Sequence, residues 1–363
     1  MIKFLITGGA GFIGSHVVRK IQEISVGESA QVTVIDSLYE RAHNSRSRQR
    51  AAALDADLHI IDITKHHEIT KILEAVRPNV IIHLAAETST GDSANHPTLH
   101  THVNATGTAA LIEAMVTVGH APRHVVLVSS RAVYGEGMWI DPADGSTFSP
   151  RTRSRDALMR EQFEIRAPSG KAGVAVAHCA ATVFPRPVSV YGLTKLWQEN
   201  LLTLWCETEK IPLSILRMQN VYGVGQLLEN SYSGIIALFH KIAREGKVLP
   251  IFEDGNIVRD FVYVEDVVDI IIKCSLELNP ETKYIDVGRG VPITLLDAAR
   301  IISKIYNIPN PKITGEYRIG DVRWACADLA ALKTHLGFVP SISFETGTQR
   351  IKNWLDTEDR MEK

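Results

Sequence analysis

Of the nine tyrosines in the 363-residue chain, Tyr191 alone is followed four positions later by a lysine, Lys195, within VYGLTKLWQENL. Positions i and i+4 share one face of a helix. A phenol titrates near ~10 and is a poor base at neutral pH, and a neighbouring ammonium favours its ionised form. The pair therefore reads as a general base with its electrostatic partner. A second reactive set closes an apolar run: VLVSSRAVYGEG (126–137) ends its strand pattern in Ser129, Ser130 and Arg131. A hydroxyl at such a strand end can hydrogen-bond the substrate oxygen that loses its proton. Ser130 is assigned that role, and Ser129 is expected to cap the strand end.

A cofactor loop stands near the N-terminus. TGGAGFIGSH (7–16) follows the first apolar run and opens a helical pattern. Gly8, Gly11 and Gly14 form G-x-x-G-x-x-G, and Gly9, Gly11 and Gly14 form G-x-G-x-x-G. Glycines here let the backbone turn sharply and approach a pyrophosphate seated on the helix N-terminus, with Phe12 and Ile13 in the same turn. Asp36 ends the second apolar run, at the spacing of about 20 residues that suits a carboxylate on the adenosine ribose. It repels a 2′-phosphate, so NAD is favoured over NADP. Asp62 and Ile63, after the third run, are expected at the adenine. Ala85, Ala86 and Thr88, in LAAETST (84–90), leave the fourth run at the same sheet edge.

These groups need a frame that brings strand ends together. IKFLIT (2–7), VTVID (32–36), LHIID (58–62), VIIHLAA (80–86), HVVLVSS (124–130) and LSILR (213–217) are continuous apolar runs, as in parallel strands covered on both faces. Helical periods fall between them at 11–24, 67–76, 104–119 and 191–209. The alternation predicts an α/β fold, a Rossmann-type doubly wound parallel sheet. After Arg217 the pattern changes. Helices near 231–246, 265–278, 293–307, 328–336 and 345–357 surround short strand candidates such as KYIDVG (283–288). Residues 1–217 are expected to form the NAD-binding domain and 218–363 a smaller C-terminal α/β substrate lobe, with the segment around 258–288 returning to the first domain. Residues 136–187 carry Gly, Pro, Ser and Arg with little period and are too long for an ordinary connection. They read as a flap over the site or a surface insertion.

Composition narrows the function classes. Lys and Arg number 39 against 41 Asp and Glu, a net charge near −2 that offers no footprint for nucleic acid. The basic cluster RAHNSRSRQR (41–50) reads as a solvated loop or as a loop beside a cofactor phosphate or diphosphate. Cys179, Cys206, Cys274 and Cys326 are far apart and make no C-x-x-C pair, so neither a metal nor a disulfide framework is expected. The chain opens on MIKFLITGGAG without a signal-peptide pattern, and no run approaches the ~18 apolar residues that span a bilayer. A cytoplasmic protein with no membrane partner is expected.

With the glycine loop, Asp36, Ser130 and Tyr191/Lys195 in order, the chain resembles the extended short-chain dehydrogenase/reductase family, which includes the nucleotide-sugar epimerases and dehydratases. NATGT (104–108), LRMQNVYG (216–223), RDFVYVEDV (259–267) and YRIGDVR (317–323) extend the resemblance over nearly the whole chain. It implies that Ser130, Tyr191 and Lys195 are the catalytic triad and that Asn220, Arg259 and Arg318 hold a nucleotide diphosphate. It also places Thr88 and Arg131 at the substrate. Arginine forks suit diphosphate oxygens. The 4,6-dehydratases of the family carry Asp-Glu after the hydroxyl residue, where this chain has Arg131 and Ala132. Neither can serve as acid or base for eliminating water, which leaves a 4-epimerase or a simple oxidoreductase. HLAAETSTGDS, SSRAVYGEG, SVYGLTK and IFEDGNIVRDFVYVEDV resemble the dTDP-L-rhamnose 4-epimerase group. That implies a dTDP-linked sugar, NAD, a transient 4-keto sugar and a 6-deoxy-L-talose product. Alternatives are a UDP-hexose or UDP-uronate 4-epimerase and a 4-keto-sugar reductase. The resemblance also implies a homodimer through helices near 104–119 and 191–209.

Overall fold

The computed structural model describes residues 1–24, 30–228, 234–276 and 284–361. The start of the helix expected at 231–246 and the junction before KYIDVG lie outside them. Strands β1 (Ile2–Thr7), β2 (Ala30–Asp36), β3 (Asp57–Ile60), β4 (Val80–His83) and β5 (His124–Ser130) are the early apolar runs. Between them come α1 (Phe12–Ile24), α2 (Ser45–Ala52), α3 (His66–Val76), α4 (Thr90–Asn95), α5 (Pro97–His100) and α6 (Gly107–Val118). The 136–187 segment holds β6 (Trp139–Ile140), β7 (Thr147–Phe148), α7 (Arg155–Met159) and β8 (Val174–Ala175). The chain continues through α8 (Val190–Glu209), β9 (Leu213–Met218), β10 (Asn220–Tyr222), α9 (Ile235–Arg244), β11 (Pro250–Ile251), β12 (Val258–Tyr263) and α10 (Val264–Leu276). It ends with β13 (Tyr284–Val287), β14 (Pro292–Thr294), α11 (Leu295–Tyr306), β15 (Lys312–Ile313), α12 (Ala330–Leu336) and α13 (Phe344–Met361).

Seven strands form one sheet in the order β13-β9-β5-β4-β1-β2-β3, every pair parallel. Side chains alternate between its faces. From β1, Phe4 and Ile6 enter a core shared with α1 and α10, while Leu5 enters the opposite core with α3, α6 and α8. Both faces are covered, which is why the strands read as unbroken apolar runs. Strand order reverses between β1 and β4, and the reactive residues leave the sheet at that C-terminal edge.

Three stretches add to the sequence reading. Within 258–288, α10 packs on α1 and β13 closes the large sheet, but β12 pairs with β10 and β14 in a separate three-stranded sheet. RAHNSRSRQR is largely helix rather than loop, because the Asn44 side chain accepts from the Ser47 amide at 2.9 Å and caps α2. Its Arg46 and Arg50 reach Glu358 on α13 at 3.5 and 3.4 Å. The 136–187 segment forms an antiparallel sheet, β7-β6-β8, anchored on the C-terminal part. Buried Arg153 donates to Glu253 at 2.7 Å and to the Asp321 carbonyl at 2.6 Å, and Arg323 bridges Glu253, Asp254 and Glu164 at 2.7–3.0 Å.

Candidate active site

The C-terminal sheet edge opens on a cavity of about 1010 Å³, large enough for two substantial ligands. Its wall brings together Gly8, Gly11, Phe12, Ile13, Gly14, Asp36, Asp62, Ile63, Ala85, Ala86, Thr88, Ser130, Arg131, Tyr191, Lys195, Asn220, Arg259 and Arg318. Thr152 carries the 136–187 segment into the same wall.

At one end, Gly8 has φ +71°, and a Cβ there would lie 2.7 Å from the Ala85 amide nitrogen. A Cβ on Gly14 would run into the Gly8 carbonyl oxygen. Only glycine fits this cradle, which leaves room for a pyrophosphate against the start of α1. Asp36 is fixed for a ribose: it accepts from the Ala10 and Leu38 amides at 3.0 and 2.9 Å, with His43 Nε2 at 3.4 Å. The donor set and the cradle fit a dinucleotide.

At the centre, Ser130 Oγ accepts from the Ala132 amide at 3.1 Å, capping the Arg131–Tyr134 turn, and lies close enough to the Tyr191 phenol to act on its acidity. Tyr191 starts α8, whose N-cap Ser189 accepts from Gly192 at 3.0 Å. Burial pushes the Tyr191 phenol up, and the Ser130 hydroxyl and the Arg131 charge act in the opposite direction. Lys195 Nζ donates to the Val128 carbonyl at 2.7 Å and to Gln198 Oε1 at 2.5 Å. Burial lowers Lys195 to about 7, opposed by Glu199. Gln198 is itself held by Thr108 at 2.9 Å and His83 at 3.2 Å.

Ser129 does not cap the strand. It donates to buried Glu199 at 2.5 Å, and Glu199 takes two further bonds from Arg217 at 3.1 and 2.8 Å. The cap belongs to Ser130, one residue on, because β5 alternates and turns Ser129 toward α8. Arg217 lies between the rings of Tyr134 and Tyr284, 4.8 and 4.7 Å from their centres. Tyr134 donates to Asp286 at 2.6 Å, and Asp286 also accepts from the Ala180 amide at 2.8 Å. Gln198, Glu199 and Arg217 were not singled out in the sequence. The available signals were two polar residues one turn beyond Lys195 and an arginine closing an apolar strand.

Burial pushes the Asp286 carboxyl up to about 6, above the ~3.9 of an unfolded aspartate. The folded state therefore holds the extra proton between about pH 4 and about pH 6, and stability falls as pH rises through that window. Thermal melts of the wild type should show this slope, and Asp286→Asn should flatten it; parallel curves for the two proteins would contradict the assignment.

At the far end, Arg131 Nε donates to Asn220 at 3.1 Å. Arg259 pairs with Asp321 at 2.6 Å rather than with its neighbour Asp260. Asp260 instead accepts from the Arg289, Gly290 and Ala327 amides at 2.8–3.1 Å. Arg318 stands 5.1 Å over the Phe252 ring. Asp321, quoted in YRIGDVR without a role, is the acid that holds Arg259. Three guanidinium groups thus border one end of the cavity, opposite the glycine cradle. Among the described residues no His, Cys, Asp and Glu cluster could hold a metal, and no helix is long and apolar enough to cross a membrane.

The sequence matches the NAD dependent epimerase/dehydratase family over residues 4–155 and 170–288. The chain belongs to this family. NAD is its cofactor. A curated relative, the dTDP-L-rhamnose 4-epimerase of Burkholderia thailandensis, is 42% identical over 98% of this chain and 95% of its own length. The dTDP-glucose 4,6-dehydratase of Escherichia coli is 28% identical over 97% of this chain and 93% of its own. Among solved structures, a UDP-glucose 4-epimerase from Thermotoga maritima, determined with UDP-glucose, is similar with a TM-score of 0.80 at 26% identity, covering 98% of this chain and 99% of that one. For a member of this family, the steric limit at Gly14 has a direct consequence. Gly14→Ala should purify with little NAD, read by the absorbance released on denaturation. A full complement of NAD in that variant would contradict the cradle.

Proposed function

We propose that the protein is a nucleotide-sugar 4-epimerase that interconverts dTDP-L-rhamnose and dTDP-6-deoxy-L-talose through a transient 4-keto sugar. The observation that carries this reading is the end-to-end similarity to the Burkholderia enzyme. The site chemistry agrees with it. Bound along the glycine cradle, NAD supplies the acceptor and donor of hydride. Tyr191 takes the proton from the C4 hydroxyl and later returns it, with Ser130 bridging the sugar oxygen and the phenol. Lys195, held by Val128 and Gln198, lies one turn into the same helix. Asn220, Arg259 and Arg318 anchor the diphosphate, and Thr88 lies along the sugar. An anion entering there competes with Asp321 for Arg259. The anchor holds one end while the sugar turns to present its other face. Arg131 and Ala132 stand where a dehydratase needs its acid and base, which supports epimerisation over loss of water.

A substrate panel tests the assignment. kcat/KM should be highest for dTDP-L-rhamnose and far lower for UDP-glucose and UDP-glucuronate. Preference for either UDP-sugar would move the protein to another 4-epimerase class.

A homodimer belongs to the same proposal. Val116 on α6 and Leu193, Trp197 and Leu204 on α8 are large apolar side chains at 48–66% exposure, and a second copy packing on these helices would cover them. Sedimentation should give twice the chain mass, and Trp197→Glu should lower it; a monomeric wild type would overturn this part. We place the enzyme in the cytoplasm, which suits NAD chemistry and four cysteines in no disulfide.

A further inference from the structure

Two of the arginines assigned to the diphosphate depend on neighbours for their aim. Arg259 is held by Asp321 at 2.6 Å, and Arg318 lies over the Phe252 ring. Arg318 and Asp321 close a single turn, in which the Asp321 amide donates to the Arg318 carbonyl at 3.3 Å. Gly320 within that turn has φ +80°, the left-handed region that glycine enters without strain. A glycine turn of this kind is loose by itself, and the carboxylate that aims Arg259 would move with it.

Arg153, from the 136–187 segment, removes that freedom. Its Nη2 donates to the Asp321 carbonyl at 2.6 Å and its Nη1 to Glu253 at 2.7 Å. Glu253 follows Phe252 in the chain, so one guanidinium braces both the Asp321 turn and the platform under Arg318. Glu253 itself has φ +53°, a conformation that a residue with a Cβ keeps only where its surroundings hold it. Its amide donates to the Glu316 carbonyl at 2.7 Å. A second brace lies two residues beyond Asp321. The Arg323 amide donates to Glu136 at 2.9 Å and its guanidinium to Glu164 at 2.7 Å, and both acids belong to the same segment.

These bonds are more than a tether. Phe163, Ile165 and Ala167 already bury apolar surface of the segment, and a buried ion pair gains little net stability over apolar packing. The bonds converge instead on the short stretches that carry Asp321, Arg318 and Phe252. A planar fork can reach two acceptors in fixed directions, which an ammonium cannot do.

We propose that Arg153 is a positioning residue for the diphosphate clamp. It fixes the Asp321 turn and the Phe252–Glu253 step, so that Arg259 and Arg318 meet the diphosphate in one geometry. The 136–187 segment is then part of the substrate-anchoring machinery. The proposal rests on the reading of Arg259 and Arg318 as diphosphate anchors.

The test is calorimetric binding of free dTDP to the NAD-loaded protein, with thymidine as the probe that lacks the diphosphate. Arg153→Met leaves Glu253 its bond from Arg323 at 3.0 Å, so the variant should fold, read as full NAD content and a cooperative melt. Its affinity for dTDP should fall about tenfold or more, as misplaced binding groups do, while thymidine binds as in the wild type. KM for dTDP-L-rhamnose should rise by a similar factor, with kcat changed less than about threefold. Arg153→Lys keeps a charge at Glu253 but loses the fork, should fall between, and serves if the Met variant does not fold. Unchanged dTDP affinity in folded Arg153→Met, or in Arg153→Lys where only that variant folds, would overturn the proposal and leave Arg153 a tether. Equal losses for dTDP and thymidine would also overturn it, because the whole substrate lobe would then have shifted. Wild-type dTDP affinity in Arg259→Met would instead remove the underlying reading.

Discussion

Tyr191→Phe is expected to lower turnover by roughly 10²–10⁴, the range for loss of a positioned acid or base. The phenol is partly buried beside Ser130, and phenylalanine keeps its ring edge against His100, with 6.3 Å between ring centres. Nothing in the glycine cradle or at Asp36 depends on the hydroxyl, so NAD should remain bound. Ser130 cannot take over the proton, because its own hydroxyl is far too weak an acid without a partner base. Activity should fall at every pH rather than shift along the pH axis, since no side chain within reach can substitute. Retention of more than about a tenth of wild-type turnover would remove Tyr191 from the chemistry.

The second large effect falls on stability. Arg217 and Glu199 are almost fully buried and joined by two hydrogen bonds. Arg217→Met would leave the Glu199 carboxylate in the core with, among the described residues, only the Ser129 hydroxyl donating to it. Breaking a buried pair from one side costs about 3–5 kcal/mol, most of it the uncompensated charge. Chemical denaturation should show a loss of that order. The double variant Arg217→Met with Glu199→Gln should recover much of it, because the stranded charge is gone. Glu199 also supports the charge on Lys195, one turn away, and stays in place in the single variant, so the double variant is the one expected to lose activity even where its stability recovers. Additive losses in the double variant would show that packing around Tyr134 and Tyr284, not charge, is what Arg217 provides.

The large sheet was legible because its strands are unbroken apolar runs with helical periods between them, and local sequence carries that pattern. The glycine loop was legible for a steric reason: Gly8 and Gly14 sit where a Cβ collides with backbone. Asp36 followed from spacing alone. Partners distant in sequence were not legible. Arg259 stands beside Asp260 in the chain, yet its ion pair is Asp321, which the fold brings to it. Ser129 and Ser130 look alike in sequence, and only the strand's alternation separates the one that holds Glu199 from the one that meets Tyr191. Residues 136–187 bury only short apolar stretches, such as Phe163, Ile165 and Ala167 at alternate positions, and their further anchors are ion pairs to Glu253 and Arg323 that local sequence does not show. Lys195 shares a face with Tyr191 as its spacing requires, but the direction of its ammonium depended on Gln198 and Val128.

The most direct test of the central claim is proton NMR of dTDP-L-rhamnose with the purified protein in deuterated water, with no cofactor added. The account predicts conversion to the 4-epimer, seen as the change in the H4 ring couplings. The hydrogen at C4 should be retained, because hydride leaves and returns within one site. No conversion without added reduced cofactor, or a product carrying deuterium at C4, would contradict it.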